Sequence, residues 1–309
     1  MTVFLPTLRQ LQFFTALVRQ RSFSRAAEEC FVSQSTLSTG VKELESALGR
    51  QLVDRSGRAF GLTPAGEEAA ARAAKILALT EDMARAVASR GPLEGPFHLG
   101  VIPTIAPFVL PAATSALREK YPKLTLYLRE ELTETLVARL GAGELDAALL
   151  AFPYDIPGAE VIHIADDPFW FATEGGRGCD DASAPVTLET VQSEQLLLLE
   201  DGHCLRDHAM EACNLRPPEA AAYGATSLFT LAQMVRAGVG ATLLPEMAVR
   251  AGFAEASGLC AQPIADPTPK RKIGLAWRSG SGRAEEATAI AEAIAEAIDG
   301  AVGAASPKP

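Results

Sequence analysis

Residues 91–96 read GPLEGP, and this pair of Gly-Pro steps separates two stretches of chain that follow different hydrophobic periods. Upstream, apolar residues recur at intervals of three and four, the period of helices. Downstream, short apolar runs alternate with helical patterns, the signature of an α/β unit with a largely parallel sheet. One layered core does not accommodate both regimes. At 309 residues the chain has enough length for two or three domains, each with its own core.

The upstream part predicts three helices close together. LRQLQFFTALVRQ places Leu8, Leu11, Phe14 and Val18 on one face, SFSRAAEECF offers Ser24 as the N-cap of a short helix, and Ser33 caps QSTLSTGVKELESALG. In the third helix Leu37, Val41, Leu44 and Leu48 form the buried stripe, so Gln34, Ser35, Thr36, Ser38, Thr39 and Lys42 lie towards its N-terminal, outward side. Short polar side chains on a helix that follows a tight turn suit contact with base edges and phosphates. QLVDRSGRAFGLT then reads as two short strands around Ser56-Gly57, with Arg55 and Arg58 at the tip of a basic wing. The other reading of the same pattern is a small helical domain whose polar face is only solvated.

Thr63-Pro64 opens a further helix, which runs to about Arg90. Its Ala69, Ala73, Ile76, Thr80, Met83 and Val87 form a narrow heptad seam that wants a partner helix, although the small alanines also suit packing on the chain's own head. The expected division is therefore a DNA-binding head over 1–62, a dimerisation helix over 63–90, a hinge over 91–96 and a body over 97–309. In the body, FHLGVI, LTLYLRE, AALLAF, VIHIA, FWFAT, LLLLE, ATLLP and KIGLAW are strand candidates. They are interleaved with helices near Phe108 to Lys120, Glu134 to Leu140, Leu228 to Ala237 and an AEAIAEAI tail. One lobe is expected over about 97–166 and 267–309, the other over about 167–266, with ligands at strand ends between them.

Charge supports that division. The chain carries −10 overall, yet residues 1–60 hold eight Lys/Arg against five acids, a net +3 that leaves −13 for the rest. One end is built to meet a polyanion and the remainder to avoid it. No run of apolar residues is long enough for a membrane span and the N-terminus lacks a secretory leader pattern, so a cytoplasmic protein is expected. Five cysteines without a CxxC pair do not form the disulfide framework of a small secreted domain. Cys30, Cys179 and Cys260 read as structural or neutral.

The remaining two cysteines sit in Glu200 to Cys213, EDGHCLRDHAMEAC. Free cysteine is often a buried core residue. Cys204 and His208, one helical turn apart, with His203 and Cys213, also have zinc-ligand chemistry. A reactive thiol is the third reading.

Residues 8 to 66, with SFSRAAEECFVSQSTLSTGVKELESALGRQLVDRSGRAFGLTPAG, closely resemble the winged helix-turn-helix of LysR-type transcriptional regulators, and the order of head, linker helix and two-lobed body matches that family over nearly the whole chain. LGVIPTIAPFVLP, LYLREELTETL, LLLLEDGHCLRDHAMEAC and ATSLFTLAQMVRAGVGATLLP resemble its hydrogen-peroxide-sensing OxyR branch. The resemblance implies an N-terminal winged helix-turn-helix, a linker helix and a periplasmic-binding-protein-like α/β regulatory domain. It implies Cys204 as the peroxidatic thiol, Cys213 as its disulfide partner, and Thr104, Thr133, His203, Arg206 and Asp207 as the peroxide pocket. The implied partners are double-stranded promoter DNA, hydrogen peroxide, RNA polymerase and further copies of the chain, as a dimer through the linker helix and as a tetramer. No metal, cofactor or membrane is expected, and the control is expected to fall on antioxidant genes. Ser35 stands where the family often has proline, and NLRPPEAAAYG after Cys213 departs from better-known members.

The residues themselves fit such a role. A helix N-terminus favours a thiolate, Arg206 supplies a cation two residues on, and His203 can donate a hydrogen bond. If 204–213 is one helix, the cysteines are separated by roughly 13.5 Å along its axis and face opposite ways, while a disulfide needs Cα atoms within about 7 Å. Bond formation then demands that the segment refold. The competing functions are a LysR-type regulator answering to a small organic effector between the lobes, and a thiol peroxidase.

Overall fold

The structure is a computed structural model that describes residues 5–54, 60–87, 93–176, 182–215, 225–265 and 267–304. Arg55, Arg58 and Cys179 lie outside the described residues, as does most of the divergent segment after Cys213. The chain divides into two units, one of residues 1–89 with 141–144, whose 1–89 portion is the head, and a body comprising 90–140 and 145–309.

In the head, α1 (Leu8–Gln20) is capped by Thr7, whose hydroxyl accepts from the Gln10 N–H while the Gln10 side chain accepts from the Thr7 N–H. This reciprocal pairing satisfies two donors that a helix start leaves open. α2 (Phe23–Glu29) is capped by Ser22, not by the expected Ser24. Ser22 has extended backbone and accepts from Arg25 N–H, whereas Ser24 is already inside the first turn and donates its hydroxyl to Gln34 Oε1. α3 (Gln34–Leu48) starts at Ser33 and ends at Gly49, which takes the left-handed conformation that closes many helices. Phe14, Leu17, Leu37, Val41 and Leu44 fill the core between these helices, while Leu8 and Leu48 are exposed instead of buried. Gly40 permits the approach of α3 to α1, since a Cβ there would lie 2.5 Å from Phe13 Cδ2. β1 (Val53–Asp54) and β2 (Gly61–Leu62) pair antiparallel as the wing, and Glu45 of α3 accepts from the Leu52 and Val53 N–H groups at its root.

α4 (Pro64–Val87) begins as expected, with the Thr63 hydroxyl accepting from Gly66 N–H. Its seam is divided. Ala69 and Ala73 pack into the head's own core, whereas Ile76, Met83 and Val87, with Leu79 beside them, are exposed.

The body opens with β3 (Gly95–Val101), α5 (Ala106–Lys120), β4 (Leu124–Glu130), α6 (Thr133–Ala142) and β5 (Ala147–Phe152). β6 (Ala159–Glu174), α7 (Leu188–Ser193), α8 (Cys204–Ala212) and α9 (Leu228–Arg236) follow, then β7 (Thr242–Pro245), α10 (Glu246–Arg250), α11 (Phe253–Ala256), β8 (Leu259–Pro263), β9 (Lys270–Arg278) and α12 (Ala284–Ala304). The strands are ordered β4-β3-β5-β9-β6-β7, with β8 also on β6. β3 pairs parallel with β4 and β5, but every pairing of β6 and β9 is antiparallel. The sheet is thus mixed, which corrects the expectation of a largely parallel one: the chain leaves the first half of the body and returns to it along neighbouring strands.

VIHIA and FWFAT are one bent strand, β6, with an irregularity between His163 and Ala165. The expected strand LLLLE does not form. Its residues make isolated bridges, Leu196 to Ala241 and Leu199 to Ala225, and the Leu197 carbonyl accepts from the buried Thr242 hydroxyl at 2.8 Å. Leu197 and Leu199 are buried and Leu196 and Leu198 half-buried, an alternation that a coil also achieves when its polar groups are met one by one.

Two apolar cores result. The first joins Phe97, Leu99, Val101, Leu149 and Leu275 to Ile290 and Ile294 of α12, and the second gathers Phe169, Val191, Leu205, Leu231, Val235 and Leu244. Cys204 belongs to the first and Cys213 to the second.

Candidate functional site

Helix α8 connects the two cores. Asp201-Gly202 turns the chain into it, and Gly202 holds φ +95, a conformation that a side chain opposes. His203 is the N-cap in extended backbone without a side-chain capping bond, and Cys204 is the first helical residue, buried to 8% exposure. The helix's first N–H groups are therefore directed towards the sulfur end, where they favour negative charge. Cys213 is the C-cap at the other end, fully buried, with its carbonyl accepting from the Gln192 side chain of α7 at 2.9 Å. Both are free thiols, as is Cys30 at the end of α2. Nine steps of the helix put them roughly 13.5 Å apart along the axis on opposite faces. Burial pushes the Cys213 thiol up to about 12, so it is a neutral packing group. Burial also lowers the His203 pKa, with Glu200 opposing, so His203 serves as a neutral hydrogen-bonding group and not as the cation that the sequence also allowed.

Thr104 lies in the turn between β3 and α5, and Thr133 is the first residue of α6; both are buried. Leu132, which precedes Thr133, comes within 3.5 Å of the position a Gly202 Cβ would take, so the α6 start abuts the turn that leads into Cys204. The Thr133 hydroxyl is buried without a partner among the described residues, a donor and acceptor in need of one. Arg206 and Asp207 are placed differently. Arg206 pairs with the exposed carboxylate of Asp201 at the rim, and Asp207 faces solvent.

The buried cation of this region is one that sequence reasoning missed, Arg271 on β9. Its Nη1 donates to Thr104 Oγ1 at 2.8 Å and its Nη2 to the Thr104 carbonyl at 3.1 Å, while Nε meets Asp167 Oδ2 at 2.9 Å. Asp167, also buried, accepts in addition from Met247 N–H at 3.0 Å. Burial raises the Asp167 pKa, and the Arg271 charge and the Met247 N–H oppose this. Because the guanidinium occupies the Thr104 oxygen as a donor, the hydroxyl hydrogen of Thr104 is left to point elsewhere. In the sequence Arg271 stands between Lys270 and Lys272, both exposed, at the basic start of the strand, so nothing local marks it as the buried charge that must have partners. Among the described residues, no cluster of His, Cys, Asp and Glu has the arrangement of a metal site. Cys213 packs in a different core from Cys204, so the two thiols do not converge on one point.

In the head, Gln34, Ser35 and Thr36 are exposed at the start of α3 and Ser38 is half-buried. The Ser33 hydroxyl lies 2.8 Å from both Ser35 Oγ and Thr36 Oγ1, and Gln34 is held by Ser24. The polar side chains are thus arranged by one another on a helix whose opposite face is anchored in the core. Arg9, stacked over the Phe13 ring, lines the same groove as Ser35, Thr36 and Thr39.

Known proteins share both parts. Residues 8–67 match the bacterial regulatory helix-turn-helix protein model of the lysR family, and residues 90–299 match the LysR substrate binding domain. The chain belongs to the LysR family of bacterial transcriptional regulators, which are DNA-binding regulators and not enzymes. It is 39% identical over 301 residues to a probable hydrogen peroxide-inducible genes activator of Streptomyces viridosporus, covering 95% of each chain. A cysteine variant of full-length OxyR from Pseudomonas aeruginosa superposes with a TM-score of 0.80 at 34% identity, covering 93% of this chain and 94% of that one. A hydrogen-peroxide-bound cysteine variant of Corynebacterium glutamicum OxyR does so with a TM-score of 0.65 at 35% identity, covering 98% and 95%. Within the family the chain falls in the OxyR branch.

Proposed function

We propose that this regulator senses hydrogen peroxide at Cys204 and signals by forming a disulfide with Cys213, thereby controlling antioxidant genes. The observation that carries this reading is α8 itself: one helix with a free thiol at each end, each in a different core. The Cys204 thiolate attacks one oxygen of peroxide, the S–O bond forms as the O–O bond breaks, and the leaving hydroxide takes a proton to become water. Sulfur is oxidised to the sulfenic acid and peroxide is reduced. Thr104, Thr133 and His203 hold the peroxide, with Arg271 fixing Thr104; Arg206 and Asp207 act at the rim, in the turn that must move. Cys213 then displaces the sulfenic hydroxyl as water, which requires α8 to come apart.

The division into head (1–62), linker (63–90), hinge (91–96) and two-lobed body (97–309) fits this function. Gln34, Ser35, Thr36 and Ser38 read promoter bases, and Arg55 and Arg58 on the wing meet phosphates or the minor groove. The exposed Ile76, Leu79, Met83 and Val87 of α4 form the dimer seam, two dimers make a tetramer, and the oxidised arrangement changes DNA bend and contact with RNA polymerase. A cytoplasmic location follows from that partner set; among the described residues no helix is long and apolar enough to cross a membrane.

The test compares promoter binding and transcription with reduced and peroxide-treated protein, wild type beside Cys204→Ser and Cys213→Ser. Loss of the response in Cys204→Ser, with a Cys204–Cys213 linkage by mass spectrometry only in the oxidised wild type, is expected. A response that persists in Cys204→Ser points to a small organic effector instead.

A further inference from the structure

His208 lies one turn after Cys204 on α8 and is buried to 6% exposure. Its Nε2 lies 3.1 Å from the Pro153 carbonyl oxygen. A carbonyl only accepts, so Nε2 carries the proton of the neutral ring, and Nδ1 is left as a bare acceptor. That Nδ1 is buried and has no hydrogen-bond partner among the described residues. A buried acceptor without a donor costs on the order of 1–3 kcal/mol, and this one is held in place by the bond on the opposite side of its ring. Helical side chains lean towards the N-terminus, so the ring reaches back over the turn that begins with Cys204. The Cys204 thiol itself does not supply the missing donor. An oxygen added to that sulfur extends one bond further and carries a hydrogen.

We infer that His208 is a further ligand-contacting residue of the peroxide site: Nδ1 accepts the hydrogen bond of the hydroxyl that Cys204 takes from peroxide, first on the peroxide and then on the sulfenic acid. This rests on the assignment of Cys204 as the peroxidatic thiol. In the step, the Cys204 sulfur bonds to the oxygen whose hydrogen points at Nδ1, the O–O bond breaks, and the far oxygen leaves as hydroxide and is protonated to water. His208 neither gains nor loses a proton. Burial is the main cause that disfavours a protonated ring; the Pro153 hydrogen bond opposes it, Arg271 adds to it, and Asp207 and Glu211 oppose it more weakly, with the net direction leaving Nδ1 available as an acceptor. The notion that His208 holds a metal with Cys204 uses the same atom differently, and leaves the peroxide hydroxyl without an acceptor.

The experiment uses the full chain, reduced, with Cys213→Ser so that sulfenic acid accumulates. Three rates are compared for His208, His208→Gln, His208→Leu and His208→Met: oxidation of Cys204 by peroxide, decay of the sulfenic acid read with a dimedone-type probe, and alkylation of Cys204 by iodoacetamide, which delivers no hydroxyl. Loss of one hydrogen bond to the reacting group slows peroxide oxidation by about tenfold in the Leu and Met variants and shortens the sulfenic acid's life by a similar factor. Alkylation stays within about twofold, and Gln, whose amide offers both a donor and an acceptor, restores oxidation to within about threefold of wild type. Equal peroxide rates in all four proteins overturn the inference, as does a fall in alkylation that matches the fall in oxidation. If Cys204 forms no sulfenic acid even beside native His208, the peroxide reading falls with it; if it does and the Leu and Met variants are unaffected, only the role of His208 falls.

Discussion

Cys204 and Cys213 begin and end the same helix, yet their side chains belong to different hydrophobic cores. The reduced fold therefore separates the two sulfurs by more than distance. Each is embedded in apolar packing that must open before they meet, and the C-terminal end of the helix is further held by the Gln192 bond to the Cys213 carbonyl.

Their reactivities in the reduced chain should differ accordingly. With its thiol pushed up to about 12 by burial, Cys213 stays protonated and unreactive throughout the neutral range, whereas its ionisation in an unfolded chain is ordinary. Timed alkylation followed by peptide mass analysis should label Cys204 ahead of Cys213, with Cys213 reacting only once denaturant is added. Equal labelling of the two in the native protein would contradict the burial described above.

The Arg271–Asp167 pair makes a second prediction, separating stability from chemistry. Removing the guanidinium alone, as in Arg271→Met, strands a buried carboxylate and should lower stability by about 3–5 kcal/mol in urea unfolding. The double substitution Arg271→Met with Asp167→Leu should recover most of that loss, because two apolar groups replace a buried pair. Peroxide oxidation of Cys204 should remain slow in both, since Thr104 is unsupported in each. Restoration of the rate in the double variant would show that Arg271 matters only for the fold.

The buried imidazoles predict a pH dependence. Desolvation lowers the folded-state pKa of His203 and of His208, so at pH values above the ordinary histidine pKa of about 6.5 both rings are neutral and their contribution to stability is complete. As pH falls below that value the unfolded chain takes up protons first, and the contribution is lost until pH passes the lowered folded values. Urea midpoints measured between about pH 7.5 and pH 5.5 should therefore fall with acid, and His203→Gln with His208→Gln should flatten the slope. A steeper slope in that double variant would reverse the assignment.

On α4, Leu79 and Met83 are exposed large apolar residues one helical turn apart, and apolar exposure in a row on one helix marks a contact surface. Leu79→Glu with Met83→Glu should leave only monomers in sedimentation analysis where the dimer proposed above is expected of the wild type, and reduce promoter affinity by at least roughly tenfold through loss of the second half-site, with the head still folded by circular dichroism. Unchanged mass would remove this seam from the interface.

Much of this was legible in the chain. The head helices, the Thr63 cap and the α8 boundaries follow from local spacing and capping chemistry, which act within a turn or two. The misplaced cap, Ser24 for Ser22, is an error of the same short range, because either serine offers a side-chain oxygen and only the backbone conformation decides. Arg271 was not legible for a different reason: its partners Asp167 and Thr104 are 104 and 167 positions away, and no periodicity reports a contact over that separation. The absent LLLLE strand shows the same limit, since the leucines reveal burial while the bonding partner is Thr242. In the sequence His208 stands out only as a helical neighbour of Cys204; the bond to Pro153 that fixes its tautomer depends on the fold.

One further consequence attaches to Cys213, whose sulfur fills space among Val191, Leu205 and their neighbours in the second core. Under the mechanism proposed above, the dose of oxidant that trips the regulator is set by two quantities: how fast Cys204 reacts, and how firmly that core retains Cys213. A lineage can retune its alarm threshold by substituting an aliphatic residue far from any oxidant, leaving the reactive thiol untouched. Sensitivity is in this sense a mechanical property of the protein's interior.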